Sequence, residues 1–132
     1  MIRRKKTKIE IARDAADAVW KIVVKAVYGD LCEVCQKPAG PPHHFFPKGN
    51  YGHMRYNVKN GVPLCVGCHF RHHHTFDPSI HQAIVQKRGK AWYNKLLEES
   101  KNRKANYRNV GWFEENKKRL TAKLSRIKKH AR

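Results

Sequence analysis

Two Cys-x-x-Cys pairs constrain this chain more than any other feature of its sequence. They are Cys32 with Cys35 and Cys65 with Cys68, and they include all 4 cysteines of the 132 residues. Two residues between paired cysteines let both sulfurs face one ion, and two such pairs make the closed tetrahedral site typical of structural zinc. A redox dithiol would need only one pair. The spacing therefore predicts a structural Zn²⁺ ion bound by all four cysteines.

The segment around these pairs has little capacity to fold without a metal. Proline and glycine interrupt it repeatedly from Pro38 to Gly67, which favours loops and short strands over long helices. A polar, interrupted segment buries too little apolar surface to be stable by itself. We therefore expect a small α+β protein in which zinc holds the core together.

Helical periodicity is found on both sides of this core. Apolar residues recur at three- and four-residue steps over 8–28, with Asp17 on the opposite side and Gly29 as the stop. The stripe consists of Ile9, Ala12, Ala16, Val19, Val23 and Val27. Further helices are expected near His69 to Thr75, over 80–87 and 90–104, and from about Glu114 onward.

Three regions follow from these patterns. Residues 1–31 form a basic tip and an amphipathic helix, 32–77 the zinc-containing core, and 78–132 a helical basic region. The first helix either packs on the zinc core or mediates dimerisation. The last helix is either a solvated tail or an arm that contacts phosphates.

The charge balance indicates the class of partner. The chain has 29 Lys and Arg against 10 Asp and Glu, a formal net charge of +19, which favours DNA or RNA over an anionic membrane surface. No apolar run approaches the roughly 18 residues that span a bilayer. The N-terminus lacks the apolar segment of a signal peptide. We expect a cytoplasmic protein, where paired cysteines bind metal rather than form disulfides.

A second group of metal-ligating residues lies in the same stretch. His43 and His44 are adjacent, so on a strand they point to opposite faces, and one can bind a metal while the other does not. His69 and His73 are four residues apart and share one helix face. Three imidazoles would hold a divalent ion and leave one imidazole nearby free to take a proton from water. The two histidines that flank His73 compete with it as third ligand.

The order His-His, then Asn-x-x-x-Leu-Cys-x-x-Cys-His, resembles the HNH (ββα-metal) nucleases in their zinc-knuckle form. That resemblance implies a β-hairpin and a helix around one divalent ion. It implies His44 as the general base and His43 and His69 as metal ligands. Asn60 would be the other catalytic residue, orienting the hairpin or the base. The histidine spacing also resembles the nuclease colicins, which implies His73 as the third ligand.

A narrower resemblance covers GNYGHMRYNVKNGVPLCVGC and the basic segment KRGKAWYNKL that follows it. These stretches are similar to the phage recombination nucleases of the NinG/Rap type, which act on branched DNA such as Holliday junctions. The resemblance implies a phage or prophage origin and thus the cytoplasm of the host cell. A resolvase cuts two strands symmetrically, which makes a homodimer one expected assembly.

The expected function is a DNA endonuclease that hydrolyses phosphodiester bonds with His-activated water and one divalent ion. Three imidazoles suit Zn²⁺, Ni²⁺ or Mn²⁺ better than Mg²⁺, which prefers oxygen ligands. Candidates for phosphate contacts in duplex or branched DNA are Lys48, Arg55, Lys59 and Arg71. Two alternatives stay open: a non-catalytic, zinc-dependent nucleic-acid-binding module, and an RNA-directed nuclease of the same fold.

Overall fold

Five α-helices and one short β-hairpin are the main regular elements of the described part of the chain. The computed structural model describes residues 4–75 and 77–130, and residues 1–3, 76 and 131–132 lie outside the description. The α-helices and strands in order are α1 (Lys8–Tyr28), β1 (His43–His44), β2 (Gly61–Val62), α2 (Val66–His73), α3 (Pro78–Arg88), α4 (Lys90–Ser100) and α5 (Val110–His130). Two 3₁₀ helices, Gly52–Met54 and Val58–Asn60, lie in the connection between β1 and β2. The protein is therefore α+β and mostly helical. Within the described ranges, no helix combines the length and the apolar character needed to cross a membrane.

Side-chain caps explain where the helices begin. At α1, the Thr7 side chain accepts a hydrogen bond from the Glu10 N–H, and the Glu10 carboxylate accepts one from the Thr7 N–H. At α3, the Asp77 side chain is the cap and accepts a hydrogen bond from the Ser79 N–H. Helix α5 begins at Val110, earlier than the sequence predicted, because Asn109 Oδ1 accepts the Trp112 N–H at 2.9 Å.

The two strands of the hairpin are antiparallel, and their register separates the adjacent histidines. His44 is paired with Gly61, and His43 with Val62. The first pair faces α1, where the His44 ring stacks on Trp20. On the opposite face, the His43 ring stacks on His69 of α2. The alternation expected of neighbouring strand residues is thus present in a hairpin only two residues long on each side.

The hairpin lies between two apolar clusters. The first cluster joins the cysteine region to α3 and α4, and the second joins α1 to α5. Buried members of the first are Cys32, Phe45, Met54, Val62, Leu64, Cys68, Ile80, Ile84 and Leu96. Buried members of the second are Ala16, Trp20, Val23, Val24, Tyr56, Val58, Phe113 and Leu120. The packing thus links the first and third predicted regions directly.

The middle of the predicted stripe, Ala16 and Val23, is buried as expected, but the buried face of α1 is shifted toward Trp20 and Val24. Trp20 and Val24 are fully buried, whereas Ile9 and Val27, at the two ends of the stripe, are 37% and 43% exposed. The reason is the partner: α1 packs on α5 and the hairpin, so the side chains that face these two elements are the ones excluded from water. Helix α5 is correspondingly a packed helix, with basic residues on its outer face.

Gly61 allows α1 to approach the hairpin. A Cβ atom at this position would lie 2.3 Å and 2.8 Å from the two methyl carbons of Val24. We expect Gly61→Ala to destabilise the fold by about 1–3 kcal/mol, because well-packed cores do not absorb an added methyl without strain. Urea unfolding would measure the change. Gly67→Ala in α2 is the control: nothing lies within 4 Å of its Cβ, and equal losses for both variants would contradict the close contact.

Leu120 tests whether α5 is part of the core. Its side chain is fully buried in the second cluster. Leu120→Ala should lower the free energy of unfolding by about 2–5 kcal/mol, the range for deleting a buried leucine side chain. Ser125→Ala, at an exposed position of the same helix, should change it by less than about 0.5 kcal/mol. Identical melting of the two variants would mean that α5 is detached in solution.

Candidate functional site

The four cysteines converge on one point between the end of α1 and the start of α2. Their sulfur atoms all lie within 4.8 Å of one another, and the sulfurs of Cys35 and Cys65 are 3.5 Å apart. Tetrahedral zinc with Zn–S bonds near 2.3 Å requires sulfurs roughly 3.8 Å apart. The cluster therefore fits a structural zinc ion. With four thiolates as ligands, such an ion has no open position for water.

Local backbone structure orients these thiols. Cys65 caps α2, its sulfur accepting the N–H of Cys68. Burial raises the pKa of the Cys32 thiol, but surrounding backbone N–H groups, led by that of Cys35, lower it to well below the ordinary thiol value. Burial and the neighbouring thiols raise the pKa of Cys68. One thiolate thus forms readily, and its negative charge disfavours deprotonation of the next thiol. A divalent cation bound between the sulfurs would remove this repulsion.

A cavity of about 420 Å³ opens beside the hairpin. It is formed by α1, the residues around β1, and α2. The residues that line it are Lys21, Pro41, Pro42, His43, His44, Pro47, Lys48, Gly49, His69 and His73. All four histidines singled out in the sequence are brought together here, and none of these lining residues carries a carboxylate.

Three of these imidazoles form a close group. The His43 and His69 ring centroids are 3.4 Å apart, and His73 lies 4.9 Å from His69. Burial, followed by the charges that His69 and His73 would carry, lowers the pKa of His43 to about 3. Burial and the flanking histidines lower the pKa of His73 to about 4. The rings are therefore neutral near pH 7, which is the form that ligates metals.

Neutral imidazoles are suitable metal ligands, but the orientation of these rings is not suited to binding one ion. The planes of His43 and His69 differ by only 9°, so their in-plane lone pairs run side by side and do not converge. Within 4–75 and 77–130, the cysteines are the only group of three or more candidate ligands gathered closely enough to hold an ion. A metal at the histidines would require at least one ring to rotate.

His44 is held differently from the other three. Its ring stacks on Trp20 with centroids 4.1 Å apart and planes 2° apart, and Nε2 lies 2.9 Å from the Arg55 carbonyl oxygen. A carbonyl only accepts, so Nε2 carries the hydrogen and Nδ1 keeps a lone pair. Burial lowers the pKa of His44 to about 4. The geometry provides a neutral imidazole with one nitrogen able to accept a proton.

An ion pair from α1 fixes the carbonyl that binds His44. Arg55 donates from Nε and Nη2 to the two carboxylate oxygens of Asp17, at 2.9 Å and 2.6 Å. Tyr56 adds a hydrogen bond from its hydroxyl to Asp17 Oδ1 at 2.7 Å. Asp17, predicted on the side of α1 opposite the apolar stripe, is thus bound to the hairpin region through Arg55.

Asn60 connects the two strands away from the cavity. It is fully buried. Its Oδ1 accepts the Phe46 N–H at 2.7 Å, and its Nδ2 donates to the Phe46 carbonyl at 3.1 Å. Of the two roles considered for Asn60, these contacts favour orienting the hairpin.

The four basic candidates for phosphate contacts have different surroundings. Lys48 lines the cavity, and partial burial, with the nearby charge of Arg55, lowers its pKa. Arg55 is 8% exposed and committed to Asp17. Lys59 is paired with Glu99, and Arg71 with Asp77. Nucleic-acid contact stays a prediction for all four, and Lys48 has the most suitable position.

The structure adds Lys21 to this set. It lies on α1 beside Trp20 and lines the cavity, and it belongs to none of the ion pairs among the described residues. Nothing local in the sequence marks it. It could be found only by knowing that Trp20 packs against His44.

The remaining histidines lie outside the cavity. His72 packs beside Phe45, and His74 is exposed and stacks on Phe70. His53 is bonded through Nε2 to the Ser100 carbonyl oxygen at 2.8 Å. Of the three consecutive histidines 72–74, only His73 therefore lines the cavity with His43 and His69.

Removing the zinc ligands gives a direct test of the cysteine cluster. Purified chain should contain one zinc ion, and Cys65→Ser should lose it together with the cooperative thermal transition, because the cluster supplies folding free energy. Metal analysis and calorimetry would measure both. Since the serine variant need not fold, Co²⁺ substitution of the wild type provides a second readout, the thiolate-to-cobalt absorption band. A folded wild-type chain that contains no zinc and shows no such band with Co²⁺ would contradict the site.

Comparison of the chain with protein-family models, with curated proteins and with solved structures gave no match. The cysteine cluster, the histidine cavity and the sequence motifs are therefore the features that bear on function.

Proposed function

We propose that the histidine cavity hydrolyses phosphodiester bonds of DNA, with β1, β2 and α2 acting as a ββα-metal unit. One observation carries this proposal. His44 presents a neutral ring, anchored through Nε2, at a cavity that it shares with three further neutral imidazoles. A binding surface has no need of such an arrangement, whereas water activation requires it.

The proton transfer follows from the tautomer of His44. Its Nδ1 takes a proton from the attacking water while the Nε2–H stays on the Arg55 carbonyl oxygen. The water oxygen forms a bond to phosphorus, the bond to the leaving 3′ oxygen breaks, and the leaving oxygen takes a proton from solvent. The stack on Trp20 holds the ring in place, and the nearby carboxylate of Asp17 favours the imidazolium that forms.

His43, His69 and His73 are the residues that would hold a divalent ion. When bound, such an ion would supply positive charge to the phosphate oxygens. Neutral imidazoles favour Zn²⁺, Ni²⁺ or Mn²⁺ over Mg²⁺. Lys21 and Lys48 lie at the same cavity and bind the substrate phosphates in this proposal.

The substrate class is supported by charge. A net charge of +19 and a cavity lined by lysine and histidine without carboxylates match a polyanion. Action on branched DNA such as Holliday junctions, in phage recombination, is the finer proposal, and it rests on the sequence resemblance. An RNA substrate is the alternative within the same chemistry.

A non-catalytic nucleic-acid-binding module is the second candidate. The parallel rings of His43 and His69 favour it, because they do not converge on a metal as they stand. In that case the cysteine site alone would bind an ion, and His44 would only pack between Trp20 and the cavity.

His44→Ala separates the two candidates. In plasmid nicking with Mn²⁺, Ni²⁺, Zn²⁺ or Mg²⁺, we expect the variant to lose activity by about 10²–10⁴-fold, the usual contribution of a general base. DNA binding, measured by fluorescence anisotropy, should be nearly unchanged. His74→Ala is the matched control, because this exposed histidine lies outside the cavity. Nicking by His44→Ala at the wild-type rate would refute the proposed base, and no nicking by the wild type with any ion would favour the module.

A further inference from the structure

A second basic cavity lies on another side of the molecule. It has a volume of about 460 Å³ and is formed by the segment that precedes β2, the loop before α5, and α5 itself. Its lining residues are His53, Tyr56, Asn57, Val58, Lys59, Lys104, Trp112, Asn116, Arg119 and Lys123. None of these residues belongs to the histidine cavity.

Within the part of the chain that the structure describes, three cations at this cavity have no carboxylate partner. Lys104, Arg119 and Lys123 take part in none of the ion pairs found among the described residues. The fourth cation, Lys59, is neutralised by Glu99. Unbalanced positive charges held close together repel one another, so an anion that enters the cavity relieves this repulsion.

Arg119 is prepositioned for such an anion. Its Nη2 donates to the Tyr56 carbonyl oxygen at 3.0 Å and to Asn116 Oδ1 at 2.9 Å. Both partners are neutral, so the guanidinium is oriented without losing its charge. Its Nε and Nη1 have no hydrogen-bond partner in the described part of the chain, so these N–H groups can each donate a charge-assisted hydrogen bond to a phosphate oxygen.

Trp112 gives the cavity an aromatic wall. Its ring is half-buried, with centroids 4.7 Å from Tyr107 and 5.3 Å from Tyr56. Aromatic side chains beside cations are the usual means of binding unpaired nucleotides, because each base has a face that can stack. In a duplex the bases are stacked on one another and do not offer that face.

The two cavities border the same segment of chain. His44 of the first is bonded to the Arg55 carbonyl oxygen, and Arg119 of the second to the next carbonyl, that of Tyr56. Trp20, which stacks on His44, donates to the Asn57 carbonyl oxygen at 3.1 Å. The second cavity is therefore built into the framework that holds His44.

We propose that this second cavity binds a single-stranded nucleotide segment, with phosphate on Lys104, Arg119 and Lys123 and a base stacked on Trp112. The proposal shares the nucleic-acid partner of the proposed function but does not depend on cleavage. A nuclease with such a site would engage an unpaired strand beside the position of hydrolysis. It gives the chain a preference for DNA that contains unpaired bases.

The test is binding of a 5′-fluorescein dT12 strand to the full chain without added divalent metal. Lys104→Ala with Lys123→Ala should weaken binding about tenfold at 0.15 M salt and reduce the slope of log Kd against log salt by about 1.4, since each single-strand phosphate contact contributes roughly 0.7. The matched control is Lys128→Ala with Lys129→Ala, which removes the same charge from exposed positions of α5. Equal losses for the two pairs would overturn the proposal.

Trp112 supplies an independent readout. Binding of dT12 should quench tryptophan fluorescence in the wild type, and Trp112→Phe should abolish the quenching while keeping the melting temperature within a few degrees. Quenching that persists in Trp112→Phe would overturn base stacking. A 12-base-pair duplex that loses as much affinity in the double lysine variant would overturn the single-strand assignment.

The last measurement is competition between thymidine monophosphate and dT12 for the chain. The proposal expects the monophosphate to compete only weakly, because one phosphate uses few of the contacts. Competition at micromolar concentration would identify a free-nucleotide site and overturn the nucleic-acid assignment. None of these readouts requires hydrolysis, so failure of the nicking assay and failure of this proposal are distinguishable.

Discussion

The buried ion pair between Arg88 and Glu33 connects the parts on which the histidine cavity depends. Arg88, at the end of α3, bonds both carboxylate oxygens of Glu33 in the cysteine region and donates to the carbonyl oxygens of Lys59 and Gly61. Its guanidinium also lies 3.7 Å from the Tyr28 ring centroid at the end of α1. The two side chains are 6% and 3% exposed. A buried pair is weak evidence for net stability, but removing one partner leaves the other charge buried and unpaired, which costs about 3–5 kcal/mol.

This connection, with the cysteine cluster, determines where the histidines lie. The cluster fixes the start of α2, and His69 follows Cys68 directly. Arg88 fixes β2 through the Gly61 carbonyl, and β2 sets the register of β1. A shift of one residue in that register would exchange the faces of His43 and His44. Long strands resist such shifts through many hydrogen bonds, whereas this hairpin of two-residue strands relies on contacts with side chains from outside it.

Local signals made part of this arrangement predictable. The bounds of α1 follow from periodicity and from Gly29, and the cysteine spacing predicted a cluster that the structure shows to be geometrically sound. The contacts that support His44 were not predictable in this way, because Asp17 and Arg55 are 38 residues apart. An acid on a helix has the same local pattern whether it faces water or a distant arginine. The roles of Lys21 and Arg88 were missed for the same reason.

Helix α5 illustrates how composition alone can mislead. Its basic residues predicted a solvated tail or an arm that contacts phosphates. Phe113 and Leu120 are buried against α1, which excludes a solvated tail, whereas phosphate contact stays a prediction. A few apolar residues at helical spacing suffice to dock a helix when the partner offers a matching stripe, and that stripe is visible only on the other helix.

The packing of α5 also affects how the positive charges of the chain interact. Cations on a packed helix occupy fixed positions, so their mutual repulsion is not relieved by motion of the helix. A bound polyanion would relieve it and thereby stabilise the contact between α1 and α5 on which Trp20 and His44 depend.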